Sequence, residues 1–380
     1  MKPAARGNST KPAPARERTS LLACAALLAA PWVLPEGNLV RSAMGKPRLG
    51  GELRRMETRG YYEELIDANR SPRGEAGGPP PGWVPFGAAG LVEPIPSYLR
   101  WRMRPNLQAR WNDEPFRTNS RGYRTPEVAI PKPEGTYRIV LLGSSNTMGH
   151  GVGDDEAYPR LLEAWIAEAA GPGRKVEVVN LSVSGDSPSR RLVRMREEAA
   201  AYEPDWVLCD ATALDPALEE AHLETVARGE PAAPIPLDYV REALERAGVS
   251  PGDSPDAFRD KIQGEAQALL EGAYAGWGGF ARETGLPLTI VLIPRADEKV
   301  ENPEIFRIIR DSVRRERLDL LDASGAFEAL SAEEFRVSAW DKHPSVRGHV
   351  AIFEALRDAL SRRGSLPGGL ELKPPAPPAG

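Results

Sequence analysis

The chain has 380 residues, enough for one domain of ordinary size with extensions at both ends. A composition of 41% hydrophobic and 27% charged residues excludes a chain that is disordered or membrane-embedded throughout, and a formal charge of −5 supplies no global field for nucleic acid. Two cysteines exclude a disulfide framework, and neither they nor the four histidines (His150, His222, His343, His349) show metal-ligand spacing, so neither metal nor other cofactor is expected.

At the N-terminus, Lys2, Arg6, Lys11, Arg16 and Arg18 precede the apolar run LLACAALLAAPWVL (21–34). That order predicts a basic leader and a signal or anchor segment over residues 1–35. The body is then exported or membrane-anchored, facing the periplasm or the cell exterior, with any basic flank left inside. No small-x-small cleavage site follows the run, and Cys24 lies too early in it to accept a lipid.

Residues 36–115 form an arm rich in Pro, Gly and Arg. It holds one helical candidate, METRGYYEELIDANR (56–70), and then YLRWRMRPNLQARW (98–111). In the latter, Leu99, Trp101 and Met103 alternate with Arg100, Arg102 and Arg104. Period-two alternation predicts a half-buried strand with wet arginines, packed over the main domain and not a nucleic-acid surface. Pro105 ends the run, and NSRG (119–122) reads as a tight turn.

From residue 137 the pattern becomes regular. Strands are predicted at YRIVLLG (137–143), KVEVVNLSV (175–183), DWVLCDA (205–211), LPLTIVLIP (286–294) and LDLLDA (318–323). Helices are predicted around 157–171, 188–202, through 216–284, near 303–316, and over VRGHVAIFEALRDALSR (346–362). The alternation predicts the α/β class: a three-layer α/β/α sandwich on a five-stranded parallel sheet, with its ligand site at the carboxyl ends of the strands. Cys209 reads as a small buried hydrophobe of the third strand. The tail, 364–380, reads as a Pro-rich extension without core-forming power.

The first strand runs into RIVLLGSSNTMGHGVG (138–153). A P-loop would need Gly-Lys-Ser/Thr after Gly143, and no lysine is there. The dinucleotide fingerprint fails at its third glycine, where Asp154 stands, and Asp154 with Asp155 would repel a pyrophosphate. The α/β-hydrolase elbow would need glycine at Thr147. What fits is a nucleophile: Ser145 lies just past the strand, where a helix can begin, and needs a base.

WDKHPSVRGH (340–349) offers one. Pro344 pushes His343 towards an extended conformation, and in extended chain residues two apart share a side. Asp341 can therefore lie beside His343, orienting the imidazole and stabilising its protonated form. His349 reads as structural or as a partner behind the site. Asp154, Asp155 and Glu156 read as favourable charge at a helix N-terminus, and Asn180 as closing the second strand.

The blocks RIVLLGSSNTMGHGV, YPRLLE, EVVNLSVSGDS, PDWVLCDATALD and DKHPSVRGH, with FRTNSRGYR upstream, lie in order over residues 116–363. In them the chain resembles the SGNH (GDSL-like) hydrolases. The resemblance implies a flavodoxin-like sandwich, the SGNH hydrolase fold, and attack on carboxylic esters through an acyl-enzyme, giving an esterase or an O-acyltransferase. It implies Ser145 as nucleophile, His343 as base and Asp341 as its partner, with the backbone N–H groups of Ser145 and Gly185 as the oxyanion hole. An exported location makes acylated glycans or lipids the expected substrates.

Three positions depart from the family pattern. Ser144 stands where an aspartate usually precedes the nucleophile. Trp340 stands where the partner aspartate usually lies, three residues before the histidine. Leu214, followed by Asp215, stands where the third block supplies an oxyanion-hole asparagine. Loss of one such donor costs about a hundred- to a thousandfold in rate, with Thr212 or Asn146 as candidate substitutes. This motivates a second reading, a catalytically impaired SGNH-like protein that binds glycan or scaffolds the cell envelope. A nucleotide-binding flavodoxin-like protein is a third, disfavoured by the glycine spacing.

Overall fold

The computed structural model describes residues 82–228, 233–294 and 303–373. The apolar run 21–34 and the helical candidate at 56–70 lie outside the described residues. Among the described residues, no helix is long and apolar enough to cross a membrane.

Two short antiparallel pairs come first: β1 (Val92–Pro94) with β2 (Trp101–Met103), and β3 (Gln108–Trp111) with β4 (Glu114–Arg117). The predicted alternation is present over 99–104. Leu99 and Met103 are buried, Arg102 and Arg104 are exposed, and Arg102 pairs across the strands with Glu93 at 2.7 Å. The extended run is shorter than predicted because Arg100 adopts a left-handed φ of 65°. The β3–β4 hairpin spans the expected boundary between 115 and 116. Phe86, Leu91, Tyr98, Leu99, Met103, Trp111 and Phe116 are buried in the same cluster as the central sheet. The predicted turn at 119–122 is present, with Gly122 N–H donating to Asn119 O at 3.0 Å.

The apolar runs then form one sheet. Its strands are β5 (Thr136–Leu142), β6 (Lys175–Asn180), β7 (Trp206–Ala211), β8 (Leu288–Leu292) and β9 (Asp319–Asp322), in the order β6-β5-β7-β8-β9 and all parallel. This is the 2-1-3-4-5 order of flavodoxin-like sheets. Side chains alternate between two cores. Val140, Leu142, Val207 and Ile290 face one, and Ile139, Leu141, Leu208 and Val291 face the other. The strands β5, β7 and β8 are buried on both faces, which is why their sequences are mostly apolar, whereas the edge strand β9 exposes Asp319 and Asp322.

A four-residue turn, α1 (Ser145–Met148), follows β5. On the second face lie α2 (Tyr158–Ala170), α9 (Ala332–Phe335) and α10 (Val346–Arg363). On the first lie α3 (Pro188–Glu198), α4 (Asp215–Arg228), α5 (Asp238–Ala247), α6 (Pro255–Ile262), α7 (Ala266–Thr284) and α8 (Pro303–Glu316). The predicted three-layer α/β/α sandwich is the fold observed.

The long helical stretch divides into α4 to α7 at punctuation legible in the residues. Gly248 ends α5 with a φ of 62°, and Ser254 caps α6 by accepting from Ala257 N–H at 3.2 Å, with Pro255 in the first turn.

The tail is a correction. Residues 364–373 are part of the fold: β10 (Ser365–Leu366) pairs with β11 (Leu370–Glu371) around Pro367-Gly368-Gly369. Leu366, Leu370 and Leu372 are buried in the second core, and Tyr137 Oη donates to Pro367 O at 2.5 Å. A turn flanked by spaced leucines had core-forming power that the proline content concealed. Residues 374–380 lie outside the described residues.

Candidate active site

The turn after β5 is held from below. Asp210, on β7, accepts Ser144 N–H through Oδ2 at 3.1 Å and takes the Thr147 hydroxyl as well. Asn180 Nδ2 donates to Thr147 O at 2.8 Å, so the residue that ends β6 also ties down the turn. The carboxylate approaches so closely that a Cβ at Gly143 would lie 2.3 Å from Asp210 Oδ2, and only glycine fits there. Asp210 is itself compensated: Arg191 reaches its Oδ1 at 2.6 Å and also pairs with Asp215, all three side chains being fully buried. Burial pushes the Asp215 carboxyl up to about 6, while Asp215 and Asp210 outweigh the effect of burial on Arg191 and raise its guanidinium further.

Removing that cation strands two carboxylates. Arg191→Leu is expected to cost about 3–5 kcal/mol, the range for breaking a buried ion pair by deleting one partner. Chemical denaturation measures it. An unchanged midpoint would contradict the view that this ion cluster underpins the turn.

On the other side, Asp341 and His343 lie in the loop between α9 and α10. Asp341 Oδ1 accepts both the backbone N–H of His343 at 3.1 Å and its ring Nδ1–H at 2.7 Å. This local turn is why a spacing of two works: the carboxylate reaches two residues forward along the backbone and meets the ring there. Val337 N–H donates to His343 O at 2.9 Å, and Ser345 caps α10 by accepting Gly348 N–H at 3.1 Å, which fixes the loop at both ends.

The loop brings the predicted residues together: His343 Nε2 lies 3.0 Å from Ser145 Oγ. A carboxylate only accepts, so Nδ1 carries the ring proton and Nε2 is the free acceptor for the serine hydroxyl. Burial alone would raise the Asp341 carboxyl, but the His150 and His343 imidazoles outweigh it and hold the group well below the usual carboxylate range.

His150 is the residue sequence reasoning missed. Its ring stacks on His343 with centroids 3.5 Å apart and planes 8° apart, and its Nε2 lies 3.4 Å from Asp341 Oδ2. Its backbone N–H donates to Ser145 O at 3.0 Å, and Trp111 of β3 meets the ring edge-on at 4.3 Å. Burial, and then His343, lower its pKa to about 4, so it is neutral at neutral pH. It braces the second oxygen of Asp341 and one face of the His343 ring. Its one sequence signal was position, five residues past the serine in the same turn.

Among the described residues, His150, Asp341 and His343 are also the one group of three potential metal donors, with ligand atoms within 4.8 Å of one another. Both nitrogens of His343 are already committed, to Asp341 and to Ser145, so an ion there would displace the hydrogen bonds just described.

Gly185 follows β6 with a φ of 76° and lines a cavity of about 320 Å³ together with His343, His150 and Ser184. The N–H of Ser145 opens α1. Leu214, at the third-block position, is buried, and its own N–H is bound by Thr212 Oγ1 at 3.1 Å. Neither Thr212 nor Asn146 lines the cavity, and Asp215 is taken up by Arg191.

No family model and no curated protein matches the chain. The solved structures it resembles include esterases and lipases. It is similar to TesA at 16% identity over 59% of this chain and 98% of that one, with a TM-score of 0.38. Axe2, an acetylxylan esterase from Geobacillus stearothermophilus, is 17% identical over 58% of this chain and 93% of its own, with a TM-score of 0.39. A lipase/acylhydrolase from Enterococcus faecalis is 17% identical over 60% and 96%, with a TM-score of 0.36. At these values function is read from the geometry around Ser145 and not from the likenesses.

The remaining singled-out residues are structural. His349 Nδ1 accepts Tyr158 N–H at 3.3 Å, joining α10 to α2. Cys209 is fully buried, and burial pushes its thiol up. The reading of Asp154, Asp155 and Glu156 as helix-terminal charge needs correcting, because α2 begins later and has no acidic residue in its first turn. Asp154 instead pairs with the buried Arg124 at 2.7 Å, and Arg124 donates to Val152 O at 2.7 Å and to Gly149 O, clamping the loop that follows Ser145 and α1.

Proposed function

We propose that this protein is a serine hydrolase of carboxylic esters of the SGNH type, acting through an acyl-enzyme. One observation carries the reading: Ser145 Oγ, His343 Nε2, His343 Nδ1 and Asp341 Oδ1 form an unbroken line of hydrogen bonds of 3.0 and 2.7 Å. Ser145 Oγ attacks the ester carbonyl carbon while its proton passes to His343 Nε2. Asp341 stabilises the imidazolium, and the oxyanion lies against the N–H groups of Ser145 and Gly185. Collapse expels the alcohol, which takes its proton from His343. Water, deprotonated by the same nitrogen, then releases the acid. A hydroxyl of a second molecule in place of water makes the protein an O-acyltransferase by the same steps.

Residues 82–373, arm and C-terminal hairpin included, serve as the hydrolase domain, and residues 1–35 export it or anchor it, with 21–34 in the membrane. Acylated glycans or lipids outside the cytoplasm are the substrates that this placement favours. The loss of a side-chain donor at Leu214 favours the second reading, a glycan-binding or scaffolding protein of the envelope. A binding module has no use for a serine, imidazole and carboxylate aligned within hydrogen-bond reach, and the enzyme is preferred.

The test is acid quenching during turnover of p-nitrophenyl acetate, followed by mass spectrometry. An acetyl adduct on the peptide containing Ser145 is expected. Neither turnover nor adduct from folded protein would favour the binding module.

A further inference from the structure

The cavity beside His343 and Gly185 has a wall that the catalytic machinery does not explain. One side is a single face of α4, with Leu218, Ala221, His222 and Thr225 at the i, i+3, i+4, i+7 spacing of a helix stripe. The other side is the arm, which contributes Phe86, Val92 and Trp101 among others. Trp101 is held in place by Arg190, whose guanidinium lies 3.9 Å from the ring centroid and is paired in turn with Asp186 at 3.0 Å. At about 320 Å³ the space is at the lower end of small-molecule sites, which run from about 300 to 1,000 Å³.

Within this apolar lining His222 is anomalous. It is 2% exposed, and both ring nitrogens are buried without a hydrogen-bond partner among the described residues. Tyr98 meets the ring edge-on at 4.7 Å and offers it no hydrogen bond there, its hydroxyl being bonded to Ser189 at 2.7 Å. Burial, and then Arg190 and Arg100, hold the imidazole neutral. A neutral imidazole has one donor and one acceptor, and a hydroxyl can satisfy either. Leaving both unmet is costly, and the cost is relieved when a ligand brings the missing partner.

We infer that this cavity receives a medium-length apolar chain of the ester, and that His222 hydrogen-bonds a hydroxyl carried on that chain. The inference rests on the hydrolase reading for its substrate class, while the pocket itself stands on the cavity and on His222. His222 is thus a specificity-determining residue, and the arm is half of the binding site.

The test uses the full chain and two series of probes. One varies the acyl side: p-nitrophenyl acetate, octanoate, and octanoates hydroxylated at successive carbons. The other varies the alcohol side: ethyl acetate, octyl acetate and hydroxylated octyl acetates. In one series, kcat/KM is expected to favour the eight-carbon chain over the two-carbon chain by at least about tenfold, and to favour one hydroxylated isomer over the plain chain by about tenfold. His222→Phe, similar in volume but without hydrogen-bonding atoms, is expected to reverse the second preference. Leu218→Trp, which fills the cavity, is expected to lower the first.

In parallel, octanoate and the hydroxyoctanoates, with octanol and its hydroxylated forms, are titrated calorimetrically into Ser145→Ala and into Ser145→Ala with His222→Phe. Turnover of the short esters without a chain-length preference in either series overturns the inference and leaves the hydrolase reading standing. No turnover of any ester, with His222-dependent binding of one hydroxylated probe, supports the pocket and overturns the hydrolase reading. No turnover and no binding overturns both.

Discussion

Ser145→Ala is expected to lower kcat on a p-nitrophenyl ester by about 10⁶-fold, His343→Ala by about as much, and the double variant by no more than either alone. The three values belong together because the two side chains perform one step. Without Oγ there is nothing for His343 to deprotonate, and without Nε2 the hydroxyl 3.0 Å away remains a poor nucleophile. The activity left in each variant comes from the N–H groups of Ser145 and Gly185 and from substrate binding, which neither change touches. Both variants are expected to fold. The turn is fixed by Asp210 and Asn180 through Ser144 N–H and Thr147, not through the Ser145 hydroxyl. Additive losses, or a Ser145→Ala variant within tenfold of the parent, would contradict the assignment.

Asp341→Asn is expected to reduce kcat by about 10⁴-fold with the fold retained. Asp341 Oδ1 holds the backbone and ring N–H of His343, while Oδ2 faces His150 Nε2 at 3.4 Å. An amide has one oxygen. If the oxygen takes the Oδ1 position, the NH₂ group faces His150 and the negative charge opposite the forming imidazolium is gone. If it takes the Oδ2 position, His343 meets a donor and turns to the tautomer that cannot accept from Ser145. Either arrangement removes transition-state stabilisation, so the loss falls on kcat with KM little changed, and steady-state kinetics separates the two. A variant that loses KM and keeps kcat would place Asp341 in binding instead.

The sandwich was legible because its inner strands are buried on both faces, and continuous apolar runs such as YRIVLLG between helical stretches leave few alternatives. The pairing of Ser145 with His343 was legible because each lies in local chemistry that constrains it: Ser145 at a strand end, His343 between an aspartate and a proline. His150 was not, because its role is a contact with Asp341 and His343 nearly two hundred residues away, made only once the two loops close on each other. Leu99 and Met103 of the arm could be read as a buried face, but not what that face covers. Strands of three or four residues carry too little periodicity to name a partner; here Leu99 and Met103 join the first core while Trp101, between them, lines the cavity beside His343. The leucines of the tail were obscured by proline content, and Asp154 by proximity to a helix whose first turn it does not join.

The most direct measurement is labelling of the purified full chain with a fluorophosphonate probe, which reacts with a serine activated by an adjacent base. Labelling of the parent protein, absent in Ser145→Ala and sharply slowed in His343→Ala, is the result this account predicts. A folded parent protein that does not label, or one whose labelling survives in Ser145→Ala, would contradict it.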